Sequence, residues 1–199
     1  MNTSYNQATF VSSAARLEQL PEDVVREVAF AGRSNAGKSS AINRLTGNRK
    51  LARTSRTPGR TQLINHFLVR DNAYLVDLPG YGFAKVSKAQ RNAWVRMLET
   101  YFVSRDVLRC LVIVMDIRHP LTDSDWKTIE LQQQGQSDLH LLLTKCDKLS
   151  RNKANSALMK TKDTLEEAGI EATLQTFSSN TGEGVADLCG LLDENLFPS

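Results

Sequence analysis

A glycine-rich stretch early in the chain has the residue types that bind nucleotide phosphates. It reads Gly32-Arg33-Ser34-Asn35-Ala36-Gly37-Lys38-Ser39, which fits the pattern G-x-x-x-x-G-K-[ST] of a phosphate-binding loop. The glycines let backbone N–H groups approach phosphate oxygens. We expect Lys38 to reach the β- and γ-phosphates and the Ser39 hydroxyl to bind Mg²⁺. The alternative is a strand-to-helix turn that binds nothing.

A second candidate segment, Asp77-Leu78-Pro79-Gly80, follows an apolar run downstream of this loop. A carboxylate at that position can hold a Mg²⁺-bound water, and Gly80 lets its N–H approach a γ-phosphate. Alone, an aspartate before Pro-Gly is an ordinary turn. Placed after a phosphate loop, it indicates the metal side of a P-loop nucleotide hydrolase.

A third segment, Thr144-Lys145-Cys146-Asp147, indicates which base is bound. It matches the [NT]-K-x-D element of guanine-nucleotide proteins, in which the carboxylate accepts hydrogen bonds from guanine N1–H and the exocyclic amine. Adenine lacks this pair of donors, and the Lys145 stem would lie along the base plane. Phe177-Ser178-Ser179 is where a backbone N–H would meet guanine O6, although Ser-Ser-Asn is also common turn chemistry.

Length and composition restrict the elements that position these motifs. The 199 residues suit one α/β domain. The sequence contains no run of about 18 apolar residues, so no membrane-spanning helix is predicted. The polar start lacks the layout of a signal peptide, so we expect a cytoplasmic protein. The three cysteines have no C-x-x-C spacing and are expected to be free thiols.

Charge is distributed unevenly along the chain. No acidic residue lies between Glu27 and Asp71, whereas that interval holds nine basic residues. From Asp163 onward the chain has acidic residues and no lysine or arginine. The basic half would attract polyphosphate and RNA through its long-range field. The alternative is a basic surface that only offsets the charge of the nucleotide.

Hydrophobic patterns predict a doubly wound α/β fold with helices on both faces of a mostly parallel, six-stranded sheet. A tight turn at Arg70-Asp71-Asn72 would join two antiparallel strands, one of them at the sheet edge. Residues 1–22 are predicted to be a lead-in with a short helix over Ser12 to Gln19, and residues 23–199 a single domain. Strands are predicted over residues 25–31, 63–69, 73–77, 111–116, 139–144 and 172–177. Helices are predicted over residues 39–45, 88–104, 123–134 and 153–168, and over a C-terminal apolar stripe from Val185 to Leu196.

Together these motifs resemble the translation-factor-like GTPases and, within them, the EngB family of bacterial GTP-binding proteins. The resemblance also rests on Thr57-Pro58-Gly59-Arg60-Thr61-Gln62. It implies that the loop around Thr57 to Thr61 is a first switch. The residues of this region that would contact GTP or GDP are Gly59, Arg60, Thr61, Gln62 and Leu63. Thr61 would bind Mg²⁺ and the γ-phosphate, with Thr57 as the alternative. The second switch would run from Asp77 to about Val86, and both would reorder with the nucleotide.

One departure from Ras-like proteins affects the predicted mechanism. Tyr81 stands where they place a water-orienting glutamine, so we expect slow intrinsic hydrolysis. Related GTPases with an asparagine in the phosphate loop can bind K⁺, and Asn35 stands at that position. The candidate catalytic residues are therefore Lys38, Thr61 and Asn35.

The resemblance implies a switch that acts in assembly of the large ribosomal subunit, with consequences for cell division and septation. Its partners would be the large subunit or its rRNA, without DNA or a membrane, and the chain would be a monomer. Two alternatives are a small P-loop kinase and an RNA-binding protein with a vestigial loop.

Asp116 and Arg118 either cap a turn or face the nucleotide. We expect core packing for Trp126, and packing or surface positions for the following residues: His66, His119 and His140.

Overall fold

A seven-stranded sheet forms the centre of the protein. The computed structural model describes residues 5–52, 63–81 and 88–198, with the backbone alone at 88–91. The strands are β1 (Thr9–Ala14), β2 (Arg26–Gly32), β3 (Ile64–Arg70), β4 (Ala73–Asp77), β5 (Leu108–Asp116), β6 (Asp138–Thr144) and β7 (Thr173–Phe177). They lie in the order β1-β3-β4-β2-β5-β6-β7, and β3 alone runs against the others.

Helices cover both faces of this sheet, as predicted. They are α1 (Lys38–Leu45), α2 (Lys88–Ser104), α3 (Asp123–Gln132), α4 (Arg151–Glu167) and α5 (Val185–Leu196). Alternate residues of β5 enter two separate cores: Leu111 and Ile113 pack with α2, α3 and α4, whereas Val112 and Val114 pack with α1 and α5. Such a strand is apolar on both sides. The predicted α/β fold class is confirmed.

The sheet has one strand more than expected, because residues 9–14 form β1 and not the start of a helix. Thr9 pairs with Leu68 and Ala14 with Ile64 in an antiparallel ladder. The predicted helix over Ser12 to Gln19 is wrong, and only a 3₁₀ turn at Leu17–Gln19 is helical. Pairing satisfies backbone groups along β3 that an open edge would leave exposed, and it outweighs the weak local helix signal. β3 is consequently second from the edge.

The connection from β3 to β4 is the predicted tight hairpin. Asp71 and Asn72 both have positive φ values, 50° and 55°, as in the two-residue turns that match the twist of a hairpin. The hairpin places β4 parallel to β2, with Asp77 opposite Phe30. The carboxyl ends of the two strands therefore meet at one edge of the sheet, where ligands bind in this class of fold.

Buried polar contacts hold β2 and the 3₁₀ turn at Tyr5–Gln7 in place. Glu27 on β2 is fully buried; its carboxylate accepts hydrogen bonds from the Tyr101 hydroxyl (2.6 Å) and from Arg105 Nε (3.1 Å). The Tyr5 hydroxyl donates to Asp193 on α5 at 2.8 Å. Within the described ranges, no helix combines the length and apolar character needed to cross a bilayer. The expected domain boundary at residue 23 stays a prediction.

Candidate active site

The phosphate loop connects β2 to α1, as its pattern predicts. Gly32 ends β2, and α1 begins at Lys38. A Cβ on Gly32 would lie 2.7 Å from the carbonyl oxygen of Val114, so the loop leaves the sheet where only glycine fits. Gly37 has a φ of +107°, which also favours glycine. The loop and the positive end of the α1 dipole point to one place, an arrangement that suits phosphate.

The central residues of the loop are held by backbone contacts. The Ser34 N–H donates to the Tyr81 carbonyl oxygen at 3.0 Å, and the Ala36 N–H donates to that of Arg33 at 3.0 Å. Asn35 has a φ of +64°, a left-handed conformation that asparagine tolerates. Its side chain is exposed at the loop surface.

Two charged groups meet at the phosphate end of the site. The Lys38 ammonium forms an ion pair with the Asp77 carboxylate, and the two side chains are only 11% and 9% exposed. Asp77 ends β4, and Ser39 follows Lys38 in the first turn of α1. The predicted phosphate ligand and the predicted metal-side residues are therefore adjacent in space.

The segment after Asp77 runs beside the phosphate loop. The Leu78 N–H donates to the Phe30 carbonyl oxygen at 2.9 Å, and the Tyr81 N–H donates to that of Gly32 at 3.2 Å. Pro79 and Gly80 lie between these two contacts in the chain. The start of the predicted second switch is thus bonded directly to β2 and the phosphate loop.

The Tyr81 side chain is buried and bonds to the start of α3. Its hydroxyl donates to Asp125 at 2.9 Å, and its ring centroid lies 6.0 Å from that of Trp94. Asp125 is fully buried and also accepts the Thr122 N–H at 2.9 Å, at the start of α3. Burial, followed by the negative charge of Asp125, raises the pKa of Tyr81 well above its usual value. Tyr81 thus anchors its segment to α3.

The base-recognition segment follows β6. Thr144 is buried, and its hydroxyl lies within hydrogen-bonding distance of the Ala36 carbonyl oxygen in the phosphate loop. Lys145 Nζ donates to the Asn35 carbonyl oxygen at 2.6 Å and lies 3.0 Å from Asp116 Oδ2. These contacts join the base-recognition segment to the phosphate loop, and the Lys145 side chain spans the space between them. Cys146 is buried, which raises the pKa of its thiol to about 11 and keeps it neutral.

Asp147 is held by residues after β7. The Ser178 hydroxyl donates to Asp147 Oδ1 at 2.7 Å, and Asn180 Nδ2 donates to Oδ2 at 3.2 Å. The Ser178 hydrogen bond is the main reason that the pKa of Asp147 lies below its usual value. Phe177 and Ser178 are fully buried, whereas Ser179 is half-buried. The carboxylate is therefore charged and fixed in position, which suits recognition of two donors on one base edge.

Comparisons with known proteins identify the family. The profile of the 50S ribosome-binding GTPase family matches residues 27–145. A probable GTP-binding protein EngB from Coxiella burnetii is 46% identical over 191 residues, 96% of this chain and 93% of its own length. Its counterpart from Aliivibrio fischeri is 46% identical over 98% of this chain and 91% of its own length. The chain belongs to the EngB family. Like the family, it binds GTP and hydrolyses it.

Solved structures share the fold of this EngB-family protein. A probable GTP-binding protein engB superimposes with a TM-score of 0.65 at 22% identity, covering 85% of this chain and 98% of its own. Era, in complex with MgGDPNP and a segment of 16S ribosomal RNA, gives 0.65 at 16% identity, covering 87% of this chain and 57% of its own. The GTPase identity excludes the kinase and vestigial-loop alternatives.

Part of the predicted EngB site falls outside the described residues. Gly59, Arg60, Thr61 and Gln62 are in this group, as is the alternative metal ligand Thr57. Leu63 is described, and its half-buried side chain lies directly before β3. The assignments of Thr61 to Mg²⁺ and of this segment to the first switch therefore stay predictions.

Asn180 and Asp125 contact residues of the predicted EngB site but were not predicted themselves. Asp116 caps a turn, since it accepts the Arg118 N–H at 3.1 Å. Asp116 contacts Lys145, and Arg118 donates to it through Nε at 2.9 Å, which holds the pKa of Asp116 far below its usual value. Asn180 binds Asp147, and its only sequence signal was its place after Ser178-Ser179. Asp125, which holds Tyr81, had no sequence signal because the two residues lie 44 positions apart.

The expected packing residues have the following places. Trp126 is half-buried and packs against the core formed with α2, α3 and α4. His66 and His140 are buried, and His119 is exposed. Burial lowers the pKa of both buried histidines to about 4, so they are neutral at pH 7. None of the three belongs to the site described above.

Proposed function

We propose that this protein is a Mg²⁺-dependent switch whose nucleotide state sets its affinity for the large ribosomal subunit or its rRNA. The observation that carries the switch is the ion pair between Lys38 and Asp77. The phosphates of GTP attract the ammonium, and the metal side of the site attracts the carboxylate. Binding of GTP therefore separates the pair, and the Asp77–Tyr81 segment attached to it moves.

The residues present fit a magnesium ion. Mg²⁺ prefers oxygen ligands and is bound by few protein groups together with phosphate oxygens. The Ser39 hydroxyl and the Asp77 carboxylate offer such oxygens, and the buried carboxylate already has a cationic partner in Lys38. Ser39 and Thr61 would hold the ion directly. When bound, the ion neutralises charge on the β- and γ-phosphates.

The position of Tyr81 supports slow intrinsic hydrolysis. Its hydroxyl is bonded to Asp125, so in this conformation it orients no water molecule at the γ-phosphate. Lys38 would stabilise negative charge on the transferred phosphoryl group, and Asn35 would bind K⁺ at the exposed surface of the loop. An Asn35→Gly variant keeps the left-handed backbone and removes the amide oxygen. Turnover in K⁺ should exceed that in Na⁺ for the natural protein only; equal turnover in both buffers would exclude the K⁺ site.

The proposed cellular role rests on the family. The family profile carries the description of a 50S ribosome-binding GTPase, and Era is a structural neighbour solved with 16S ribosomal RNA. A basic nucleotide-side half, with no acidic residue between Glu27 and Asp71, is compatible with RNA. We place the protein in the cytoplasm as a monomer acting in large-subunit assembly, and its loss would disturb cell division and septation.

Co-sedimentation tests the proposal. Purified large and small ribosomal subunits are each mixed with the protein loaded with GDP or with a non-hydrolysable GTP analogue. The protein should pellet with large subunits more strongly in the analogue-bound state, and small subunits serve as the control. Equal retention on large subunits in both nucleotide states would contradict a nucleotide-controlled partner affinity, and no retention would contradict the ribosomal role.

A further inference from the structure

A groove of about 1350 Å³ runs beside the base-recognition loop. One wall is the end of α1 with the turn that follows it, at residues 43–49. The other wall is the loop at residues 179–182 and the exposed side of α5. Ser40, directly after Ser39, and Ser179 also line the groove, so it borders the predicted nucleotide site.

Positive charge lies along one wall of this groove. Arg44 and Arg49 line it, both are exposed, and neither forms an ion pair with a carboxylate among the described residues. Arg105 and Arg118, in contrast, are bonded to Glu27 and Asp116. The facing wall is polar and uncharged at the following residues: Ser179, Asn180 and Thr181. Asp193 is the acidic residue of the lining, and it accepts the Tyr5 hydroxyl.

The size and chemistry of the groove determine the ligand class. It exceeds the roughly 300–1,000 Å³ of most small-molecule pockets, so it suits an extended ligand. The described lining combines arginine, hydroxyl and amide groups with the apolar side chains of Leu45, Val185 and Ala186, and it has no aromatic residue. It therefore offers phosphate contacts without a platform for stacked bases. We propose that this groove binds the phosphate backbone of RNA through Arg44 and Arg49, independently of sequence. This inference rests on the proposed ribosomal function and names the surface that serves it.

Both walls of the groove lead to the nucleotide. α1 begins at Lys38, and the opposite loop begins at Ser178, which holds Asp147. A Cβ on Gly182 would lie 2.5 Å from a terminal nitrogen of Arg44, so the glycine lets the guanidinium pack against this loop. A nucleotide that shifts α1 relative to the loop therefore changes the spacing between Arg44 and the facing wall. RNA affinity and nucleotide affinity should be coupled in both directions.

The test measures binding of the full chain to labelled oligouridylate and oligoadenylate over a range of salt concentrations. The variant Arg44→Gln/Arg49→Gln is compared with Arg96→Gln/Arg109→Gln, which removes the same charge at two exposed arginines of α2 and β5. The groove variant should bind both RNAs more weakly. The negative slope of log affinity against log salt should become shallower by about 1.4, which is about 0.7 for each of two lost phosphate contacts. GDP affinity reports folding of both variants.

The outcomes separate the groove from the proposed function. If RNA affinity fell equally in both variants, or in neither, the assignment of RNA binding to the groove would be overturned. The proposed function would still stand if the natural protein bound RNA and large subunits. A groove variant that loses large-subunit binding but keeps RNA binding would assign the groove to a protein partner and overturn the RNA proposal. A natural protein that binds neither RNA nor large subunits would contradict the proposed function itself.

Discussion

The two ends of the nucleotide site are built in different ways. At the base end, Asp147 and Lys145 each have fixed partners that leave them in place for guanine: Ser178 and Asn180 for Asp147, and the Asn35 carbonyl oxygen and Asp116 for Lys145. At the phosphate end, Lys38 and Asp77 are bonded to each other. We therefore expect the base end to recognise guanine without rearrangement and the phosphate end to change its contacts when phosphate binds.

The largest effect should come from breaking the base end at Asp147. An Asp147→Asn variant presents one donor to guanine where the base needs an acceptor, and GDP affinity should fall about 10³-fold. Xanthosine diphosphate, whose carbonyl replaces the exocyclic amine of guanine, should then bind better than GDP. Titrations with both nucleotides measure this change, with Asp163→Asn on the exposed face of α4 as the control. Unchanged GDP preference would contradict the role of Asp147.

Breaking the phosphate end at Lys38 should have a smaller effect on affinity but a distinct effect on stability. Lys38→Ala removes one charge-assisted contact to phosphate, so GDP affinity should fall about 100-fold. It also leaves the Asp77 carboxylate buried without its cation, which should cost about 3 kcal/mol of unfolding free energy without nucleotide. Lys38→Ala/Asp77→Ala should recover part of that loss. Additive losses in chemical denaturation would show that the ion pair does not exist in solution.

The third prediction concerns the link from the phosphate end to α3. Tyr81→Phe leaves the buried Asp125 without one donor and should lower unfolding free energy by about 1–3 kcal/mol. Intrinsic GTP hydrolysis should stay near the natural rate because the hydroxyl is bonded to Asp125. Tyr74→Phe is the control, since its hydroxyl bonds no described residue. A large loss of single-turnover hydrolysis in Tyr81→Phe alone would place the hydroxyl in catalysis.

The smallest effect should come from loosening the base end at Ser178. The Ser178 hydroxyl is the main cause that lowers the pKa of Asp147, and only the ionised carboxylate accepts both guanine donors. GDP binding is therefore present above that pKa and lost as pH falls through it. Ser178→Ala raises the pKa toward its ordinary value, so the acid loss of GDP binding should begin at higher pH. GDP titrations at decreasing pH measure the shift, with Ser104→Ala on α2 as the control. If the pH profiles of Ser178→Ala and the natural protein coincided, the role of Ser178 would be contradicted.

The parts of the site that were predictable are local in sequence. Gly32 to Ser39, Asp77 to Gly80 and Thr144 to Asp147 each follow a strand with a recognisable apolar pattern, and parallel strands bring their carboxyl ends to one edge. Their meeting thus follows from the fold class. The pairing of Lys38 with Asp77 could be expected from their shared ligand, although not as a direct ion pair.

Other features depend on contacts between distant parts of the chain. The orientation of Tyr81 is set by Asp125, and the α3 capping residue has no pattern that names its partner. Most residues of the β1 strand are exposed, so its stability comes from pairing with β3 and not from its own burial. In both cases a tertiary contact decides a question that the local sequence leaves open.

Titration of the natural protein with GDP, GTP and ATP, each with and without Mg²⁺, tests the central claim most directly. The preformed base end predicts tight binding of both guanine nucleotides and no measurable competition by ATP. The phosphate end predicts that Mg²⁺ strengthens GTP binding more than GDP binding, since only GTP offers γ-phosphate oxygens to the ion. Equal competition by ATP, or Mg²⁺ dependence that is the same for GTP and GDP, would contradict the account.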